Sequence, residues 1–501
     1  MKTQIYISTL CLSAFLAFSC RMPIEDVNTS LEPEFAVPLL ETKTTVKEML
    51  EGIDSTVSLT FGTDGQITAQ FSTTALSKST LDPFDGIPSN FVPLIDTAFS
   101  IPFAPPGGLK ISTVDFKKGM TLFLVSNNFN ESLTVTFRIP QMTKNGVAYQ
   151  KVINLPKGVL GQKDSVDLTG YSFVNPNDAV KVHYDARKNS NNERVVLTNA
   201  QMAFKGMQGK YIKGYFGINR FDIPKDSMNI AFIDKLTRGE VRFSDPKITL
   251  LLENSYGIPV RARVNTAEVI TADKKRIALS GTFVSNGTDL NYPAINEVGQ
   301  MKTTQITMDK TNSNLVDIAS ARPLSFVFDI DGIINPDGNR NITGFMLDTS
   351  SFRMKMNIDV PLYGTVKGFE ERDTLSFDMP STDNLKYAEF KIIVDNGTGL
   401  NAQLQAYFLD ASNRVVDSLF TVPNQTILKA ATVDATGKVT APANQITFVK
   451  IEETKFLRLK TAKKAIVKYT FSTVNNGSTP IRLFSNQEIK VRMGVVLGTK
   501  L

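Results

Sequence analysis

An all-β fold of about three tandem antiparallel β-sandwich domains is the architecture that this 501-residue sequence predicts. Short stretches in which apolar and polar residues alternate recur along the chain, and turn-forming residues separate them. This pattern favours sandwiches over sheets with crossover helices. Hydrophobic residues make up 42% and charged residues 21% of the chain, as is usual in globular proteins.

The first element in chain order is an export signal. Lys2 precedes an apolar run at 5–18 that is too short to span a bilayer comfortably. The sequence LAFSC at 16–20 resembles the lipobox of bacterial lipoproteins. This resemblance implies that residues 1–19 are removed and that Cys20 becomes a lipid-bearing N-terminus. The alternative is an ordinary signal peptide in which the cysteine has no role.

The cysteine content favours the lipoprotein interpretation. Cys11 and Cys20 are the two cysteines, and Cys11 lies in the segment that would be removed. The mature chain would then have no internal disulfide, and acylation would account for the remaining thiol. We therefore expect attachment to the outer membrane through the lipid, on its periplasmic or its cell-surface face. The mature sequence contains no second apolar run long enough to span a bilayer.

Residues 20–40 form the predicted tether between the lipid and the first domain. Few apolar repeats occur there, and three prolines interrupt the segment: Pro23, Pro33 and Pro38. A β-hairpin follows, because period-two runs at 57–61 and 67–71 flank the turn residues Asp64-Gly65.

Two short helices are also predicted. The first covers Val46–Leu50, and Thr45 with Glu48 three residues later forms a capping box at its start. The second covers Leu315–Ala319. Neither is long enough to be a major element.

Three stretches of the chain align without a gap. They are FLVSNNFNESLTVTF at 123–137, LLLENSYGIPVRARV at 250–264 and IIVDNGTGLNAQLQA at 392–406. Each has an asparagine at the same place, with alternating apolar residues on both sides: Asn127, Asn254 and Asn396. The pattern predicts an antiparallel strand pair with one buried face in each copy. Three residues further on, each loop has an Asn or Gly, the residue types that tolerate a positive φ, which suggests a geometric role: Asn130, Gly257 and Gly399.

The spacing of this repeat sets the expected domain order. The shared asparagines are separated by 254 − 127 = 127 and 396 − 254 = 142 residues. These intervals have the size of a domain and are too long for a solenoid repeat. We therefore expect sandwich domains at 41–170, 171–345 and 346–501.

The repeated segments also carry a resemblance to known families. SDPKITLLLENSYGIPVRARV at 244–264 resembles the strand-Asn-strand signature of the late-embryogenesis-abundant (LEA) type of β-sandwich, which is related in architecture to immunoglobulin and fibronectin III domains. The segments at 389–420 and 360–377 resemble parts of large envelope lipoproteins of Bacteroidota-type bacteria. The resemblance implies a fold and a location, and no activity.

Few residues offer chemistry. His183 is the only histidine, and its position in AVKVHYDARK predicts a solvent-facing strand residue. The stretch DIDGIINPDGN at 329–339 is rich in oxygen ligands, so Asp329, Asp331 and Asp337 are candidates for a calcium site. Two turns explain the same residues, and we favour turns because the order does not match an EF-hand.

Charge and motifs narrow the function classes further. The net charge is +6, from 55 basic and 49 acidic side chains, and no basic run occurs, so we expect no nucleic-acid partner. No nucleotide-binding glycine motif occurs, and we expect no cofactor and no catalytic site.

Three hypotheses remain. The first is a non-catalytic, lipid-anchored envelope protein with a structural, adhesive or assembly role, and envelope proteins as partners. The second is a surface protein that binds a glycan or another polymer and feeds an outer-membrane transporter. The third, less favoured, is a hydrolase with two carboxylates.

Overall fold

The computed structural model of the protein describes residues 34–50, 58–79, 90–95, 97–102, 108–174, 179–230, 239–379 and 384–499. The predicted export signal, Cys20 and most of the tether therefore lie outside the described residues. The structure is 63% strand and 7% helix, which confirms the all-β prediction.

The strands are numbered in chain order. Those of the first part are β1 (Glu34–Thr45), β2 (Ser58–Phe61), β3 (Ile67–Ser79), β4 (Val92–Pro93), β5 (Ala98–Pro102), β6 (Lys110–Val125), β7 (Leu133–Lys144), β8 (Val147–Leu155), β9 (Gln162–Asp167), β10 (Ser172–Val174), β11 (Ala179–Lys188), β12 (Arg194–Val195) and β13 (Ala200–Tyr215). The next are β14 (Asn219–Asn229), β15 (Glu240–Phe243), β16 (Lys247–Asn254), β17 (Val260–Thr271), β18 (Arg276–Ala278), β19 (Thr288–Leu290), β20 (Lys302–Met308), β21 (Pro323–Ile334), β22 (Gly344–Leu347) and β23 (Ser351–Pro361). The last are β24 (Tyr363–Lys367), β25 (Phe369–Ser376), β26 (Leu385–Asn396), β27 (Leu400–Leu409), β28 (Val415–Ser418), β29 (Gln425–Leu428), β30 (Thr432–Val433), β31 (Val439–Ala441), β32 (Ala443–Glu452), β33 (Lys464–Thr473), β34 (Ile481–Arg482) and β35 (Glu488–Thr499).

The helices are short and lie between strands. Among the described residues they are α1 (Val46–Leu50), α2 (Thr282–Asn286), α3 (Leu315–Ser320), α4 (Glu453–Leu459) and α5 (Val474–Gly477), and a 3-10 turn lies at Ile295–Glu297.

The local predictions in the first part of the chain are confirmed. The Thr45 N–H donates to Glu48 Oε2 at 2.8 Å, and the Glu48 N–H donates to Thr45 Oγ1 at 3.2 Å, which is the predicted capping box of α1. Strands β2 and β3 pair antiparallel around the turn that contains Asp64-Gly65. Helix α3 covers the second predicted helix.

The sheets form three sandwiches that are nested in the sequence. The outer sandwich packs sheet β1-β35-β26-β32 against sheet β25-β33-β27-β28, to which β29 also belongs. The middle sandwich packs sheet β2-β3-β23-β16-β20 against sheet β14-β21-β17-β18, with β19 at its side. The inserted sandwich contains β4 to β13, and β22 joins its sheet at the edge. The inserted sandwich thus interrupts the middle one, and both interrupt the outer one.

This nesting corrects the expected tandem order with domains at 41–170, 171–345 and 346–501. The boundary near 170 would cut through one sheet, because β11 pairs with β7 from Lys188↔Leu133 to His183↔Arg138. Strand β1 pairs with β35 at the other end of the chain, and β3 pairs with β23. Periodicity describes which faces of a strand are buried and carries no information on distant pairing partners, so the nested order was not predictable.

The three aligned segments are also not hairpins. Strands β16 and β17 lie in opposite sheets of the middle sandwich, and β26 and β27 lie in opposite sheets of the outer one. At the loop end of β6, its partners are β9 and β13, whereas those of β7 are β8 and β11. Each segment is therefore a β-arch, in which the chain crosses the core from one sheet to the other. Two strands that face each other across a core show the same alternation as two paired strands.

The described residues form a large core and two smaller ones, of which the smallest, around Val394, Ala402 and Leu428, also belongs to the outer sandwich. One core runs continuously through the middle and inserted sandwiches, and a separate core fills the outer sandwich. The joint between the outer and middle sandwiches contains the small sheet β15-β24-β34, and Arg482 Nη1 donates to Gln66 Oε1 there at 2.9 Å. The joint between the middle and inserted sandwiches contains the pairing of β22 with β13.

Candidate functional site

The candidate residues that the sequence indicates outside the N-terminal segment can be located in the structure. His183 is exposed on β11 between the buried Val182 and Tyr184, as predicted. Asp329 and Asp331 lie on β21, and Asp337 lies in the turn that follows it.

The three acidic residues of the calcium candidate do not converge on one point. Asp331 is 2% exposed, forms an ion pair with Arg220 and accepts a 2.5 Å hydrogen bond from Asn265 Nδ2. Asp337 is exposed and lies 3.4 Å from Arg261 Nη2. Among the described residues, no group of three or more His, Cys, Asp or Glu side chains is close enough to hold a metal ion. The favoured interpretation of two turns is correct for Asp337 alone, because Asp329 and Asp331 lie within strand β21.

The shared asparagine of each arch is a buried hydrogen-bonding centre. Asn127 is 0% exposed, and its Oδ1 accepts from the Phe129 N–H at 2.9 Å. Its Nδ2 donates to the carbonyls of Glu131 at 2.8 Å, Leu155 at 3.2 Å and Pro156 at 2.9 Å. One amide thus closes the arch and ties it to the neighbouring loop, because it satisfies backbone groups that the crossing leaves without strand partners.

The other two arches use the same geometry. Asn396 is 1% exposed, accepts from the Thr398 N–H at 2.9 Å, and donates to the carbonyls of Leu400 and Lys429 at 2.8 Å each. Asn254, also 1% exposed, accepts from the Tyr256 N–H at 2.9 Å and donates to the Asn291 carbonyl at 3.2 Å. The three aligned segments therefore share the same hydrogen-bonded arch, and the asparagine of each one stabilises the fold.

The tolerance for positive φ three residues after each asparagine is not used. Asn130, Gly257 and Gly399 are not among the residues with positive φ. The two glycines are required for close approach instead, because a Cβ on Gly257 would overlap the ring of Phe345, and one on Gly399 would meet Ile481 Cγ2 at 2.5 Å.

These two close approaches lie at the joints between sandwiches. The Gly257 N–H donates to the carbonyl of Phe345 at 2.9 Å, and Phe345 belongs to β22, which pairs with the inserted sandwich. Ile481 belongs to β34, in the small sheet that joins the outer and middle sandwiches. The arches of the outer and middle sandwiches are thus both covered at a joint.

The arch of the inserted sandwich is different, because it is open to solvent. Asn128 and Asn130 are exposed there, whereas the corresponding residues of the middle arch are half-buried or buried. Three further loops meet this arch, and together they form the distal loop cluster: residues 91–95, 126–132, 156–161 and 189–199. The arch is bonded to two of these loops, from the Asn127 N–H to the Val159 carbonyl at 2.8 Å and from the Ser126 N–H to the Asn199 carbonyl at 2.9 Å. The segment 91–95 is bonded through the Leu94 N–H to the carbonyl of Ala200, directly after the last loop, at 2.8 Å.

The distal loop cluster combines exposed aliphatic side chains with amides and hydroxyls. Ile95 and Leu160 are each 74% exposed and Val196 is 52% exposed. Around them the loops are dense in Asn and Ser, notably in the NSNN sequence at 189–192. Rigid sandwich ends that carry loops of such mixed composition are common binding surfaces. The cluster is the candidate functional site, and only the Asn and Ser density at 189–192 could have indicated it from the sequence.

The described residues give less support to the glycan-binding hypothesis and to the hydrolase hypothesis. The exposed Phe and Tyr side chains of the described residues are distributed over all three sandwiches and form no shared platform: Phe35, Phe61, Phe91, Tyr292 and Phe448. Two cavities in the middle core, of about 20 and 40 Å³, have apolar walls and are too small for an organic ligand.

A two-carboxylate hydrolase uses one carboxyl group as a general acid. Such an acid needs a raised pKa. In the described part of the chain, each Asp or Glu whose pKa departs clearly from its ordinary value has it lowered. A hydrogen bond from the Arg261 side chain, for example, lowers the pKa of Asp289.

Comparisons with known proteins add little. No protein-family profile and no curated protein matches the sequence. A solved structure of a Parabacteroides distasonis protein described as secreted is similar over 56% of this chain and 82% of that one, with 13% identity and a TM-score of 0.32. The VP2 subviral particle of infectious bursal disease virus is similar over 89% and 82% of the two chains, with 7% identity and a TM-score of 0.15. At these scores the similarities carry no functional argument.

One further structural finding concerns membranes. Within the described ranges, the helices are too short or too polar to cross a bilayer.

Proposed function

We propose that the chain is a non-catalytic, lipid-anchored protein of the bacterial outer membrane, which presents the distal loop cluster to another envelope component. The observation that carries this proposal is the contrast among the three arches. Two of them are covered at joints between sandwiches, and the third is exposed at the end of the inserted sandwich. The role is adhesive or structural, because the described residues offer a surface and no reaction centre.

The chain order supports this arrangement. Strand β1, the first described strand after Cys20, belongs to the outer sandwich, whereas the distal loop cluster belongs to the inserted one. Glu34 follows Cys20 by 34 − 20 = 14 residues, which span at most about 50 Å when fully extended. The chain passes between neighbouring sandwiches more than once, so each joint contains several chain segments as well as packed side chains.

The anchor is tested by mass spectrometry of the mature N-terminus. We expect a diacylglycerol thioether on Cys20, and a Cys20→Ala variant that is neither lipidated nor retained in the outer membrane. Protease treatment of intact cells distinguishes the cell-surface face from the periplasmic face. An unmodified Cys20 in freely released protein would refute the anchor.

The binding role is tested with a photo-crosslinking residue at Leu160 in the full-length protein in cells. We expect a specific crosslinked product that the same residue at Val147 does not give. Val147 is a matched control because it is 70% exposed and lies at the opposite end of the inserted sandwich. Identical products from both positions, or none from Leu160, would contradict the proposal.

A polysaccharide is the second candidate for the occupant. The amide and hydroxyl density of the distal loop cluster favours it, since these groups pair with sugar hydroxyls. Affinity electrophoresis on envelope polysaccharides would show retardation of the wild-type protein and less retardation of an Asn128→Ala/Asn130→Ala variant. Equal mobility on every polysaccharide would exclude this occupant.

A further inference from the structure

The sheet β1-β35-β26-β32 of the outer sandwich presents one face to the core and the other to solvent. Val449, Ile451 and Val495 are buried in the outer core. Because successive side chains of a strand point to opposite faces, the residues between them point outwards. Two of these are large and apolar, since Phe448 is 57% exposed and Ile446 is 45% exposed. The outward face therefore carries an apolar ridge along its β32 edge.

A groove lies in the same face, where β35 has a glycine. Register places four residues in one row across the sheet: Phe448, Lys391, Gly494 and Pro38. The groove has a volume of about 660 Å³, and Lys391, Gly494 and Pro38 are among the residues that line it. A ridge and a groove in one row can each receive the other, so this face has the self-complementary shape that a two-fold interface requires.

We propose that two copies of the chain form a dimer through this dimer face, defined by Ile446, Phe448 and Gly494. The two-fold axis runs parallel to the strands and lies over β26. Strands β32 and β35 flank β26 at about 4.8 Å on either side, so the axis brings β32 of each copy over β35 of the other. Phe448 of each copy then enters the groove over the partner's Gly494, as in sandwiches whose aligned sheets pack about 10 Å apart.

The overlap in this arrangement is large enough for a weak specific dimer. Three strands of each copy overlap, and β26 and β32 are paired over ten residues, from Tyr387↔Glu452 to Asn396↔Ala443. The overlap therefore measures about 14 Å by 34 Å, which buries about 1,000 Å² in total over the two copies. This area lies at the lower end for specific interfaces, so we expect a reversible dimer with a micromolar dissociation constant.

The charges of the face nearly cancel, which suits a partner with the same surface. Arg492 pairs with Asp395 at 2.7 Å, and Lys450 pairs with Glu452 at 3.4 Å. Five cations and six acids lie on the outward side of the sheet and at its ends: Lys43, Lys391, Lys450, Lys490, Arg492, Glu34, Glu41, Glu389, Asp395, Glu452 and Glu488. An anionic bilayer or polysaccharide would meet no positive excess here, whereas a second copy brings no excess charge of its own.

The direction of the axis agrees with the proposed anchor. An axis parallel to the strands leaves the Glu34 ends of both β1 strands at the same end of the dimer, so both lipids can enter one membrane. Confinement to one membrane raises the effective concentration of the two copies and favours a weak dimer. Only this argument rests on the proposed function, because the shape and charge of the dimer face do not depend on the lipid.

The first test uses the mature chain 20–501 with Cys20→Ser, so that no lipid contributes to association. Sedimentation equilibrium at about 1–100 μM should show a reversible dimer, and Phe448→Ser/Ile446→Ser should raise its dissociation constant at least about tenfold. The matched control is Val147→Ser/Val152→Ser, which removes side chains that are 70% and 45% exposed on β8 and should leave the constant unchanged. A parent chain that stays monomeric over this range, or equal effects of the two double variants, would overturn the proposal.

The second test measures the proximity of the ridge and the groove. The Cys20→Ser mature chain contains no cysteine, so single variants Phe448→Cys and Gly494→Cys can be mixed and oxidised with oxidised glutathione. We expect a disulfide between the unlike chains in the mixture and much less in either variant alone, because like positions of the two copies lie about 10 Å apart across the strands. Val152→Cys mixed with Gly494→Cys is the control. A yield from the first mixture no higher than that of the control would refute the arrangement.

Failure of the dimer can be distinguished from failure of the proposed function. Both tests use a chain without lipid and leave the distal loop cluster unchanged. The anchor is tested separately by mass spectrometry of Cys20, and the binding role is tested by crosslinking at Leu160.

Discussion

Replacement of the arch asparagines by alanine should destabilise the protein in an order set by the number of lost hydrogen bonds. Asn127→Ala removes four hydrogen bonds in a site that is 0% exposed, and Asn254→Ala removes two. A buried hydrogen bond contributes about 1 kcal/mol net, and more where a buried partner stays unsatisfied. We therefore expect losses of about 4 kcal/mol for Asn127 and about 2 kcal/mol for Asn254.

The third arch tests whether loss of an arch asparagine affects only the sandwich that contains it. Asn396→Ala also removes four hydrogen bonds, so its cost should be about 4 kcal/mol. Because the outer sandwich has its own core, this loss should affect its unfolding transition and leave the transition of the shared core almost unchanged. For domains of this size, 1 kcal/mol lowers the melting temperature by about 2–4 °C, so the outer transition should fall by about 8–16 °C.

Differential scanning calorimetry measures the transitions, and hydrogen exchange followed by mass spectrometry assigns each to a sandwich. The matched control is Asn128→Ala, which changes an exposed neighbour on the same arch and should cost less than about 0.5 kcal/mol. The reasoning would be refuted if Asn254→Ala lowered the free energy of unfolding as much as Asn127→Ala does. It would also be refuted if Asn396→Ala lowered the melting temperatures of both transitions equally.

Three further predictions concern packing, charge and pH. Gly257→Ala forces a methyl group against the ring of Phe345 and should destabilise the shared core by about 1–3 kcal/mol in calorimetry; an unchanged transition would contradict the close approach. Arg220→Gln leaves the buried Asp331 without its cation and should lower the free energy of unfolding by about 1–3 kcal/mol. Arg242→Gln, at an exposed ion pair, should lower it by less than about 1 kcal/mol. Equal effects of the two variants in urea titrations would argue against burial as the cause. Carboxyl groups whose pKa is lowered by folding stabilise the folded state above about pH 4, and this stabilisation is lost as the pH falls through their folded pKa values. At constant ionic strength, the melting temperature should therefore fall below about pH 4 and vary little between about pH 5 and 7 from this cause.

Local features of the structure could be predicted because they depend on neighbouring residues. The capping box of Thr45 and Glu48 needs only the spacing of two side chains, and the outward position of His183 follows from alternation along one strand. The all-β class follows from many such strands taken together. The sequence also showed that Asn127, Asn254 and Asn396 occupy equivalent positions, and the structure shows equivalent hydrogen bonds at all three.

Features that depend on distant residues could not be predicted in the same way. Alternation around Asn254 is the same for a hairpin and for an arch, so the choice between them requires the identity of the pairing partners. The role of Gly257 depends on Phe345, 88 residues further along the chain (345 − 257 = 88). The distal loop cluster draws its loops from four separate segments, and only the completed inserted sandwich brings them together.

The pairing of β1 with β35 also has a consequence for biogenesis. These strands are matched from Glu34↔Gly498 to Thr45↔Glu488, so the outer sandwich cannot close before β35 has been synthesised. The inserted sandwich needs no such delay, because its described strands β4 to β13 follow one another in the chain and only β22 comes later. We therefore expect folding to proceed from the inserted sandwich outwards, with the outer sandwich last to form.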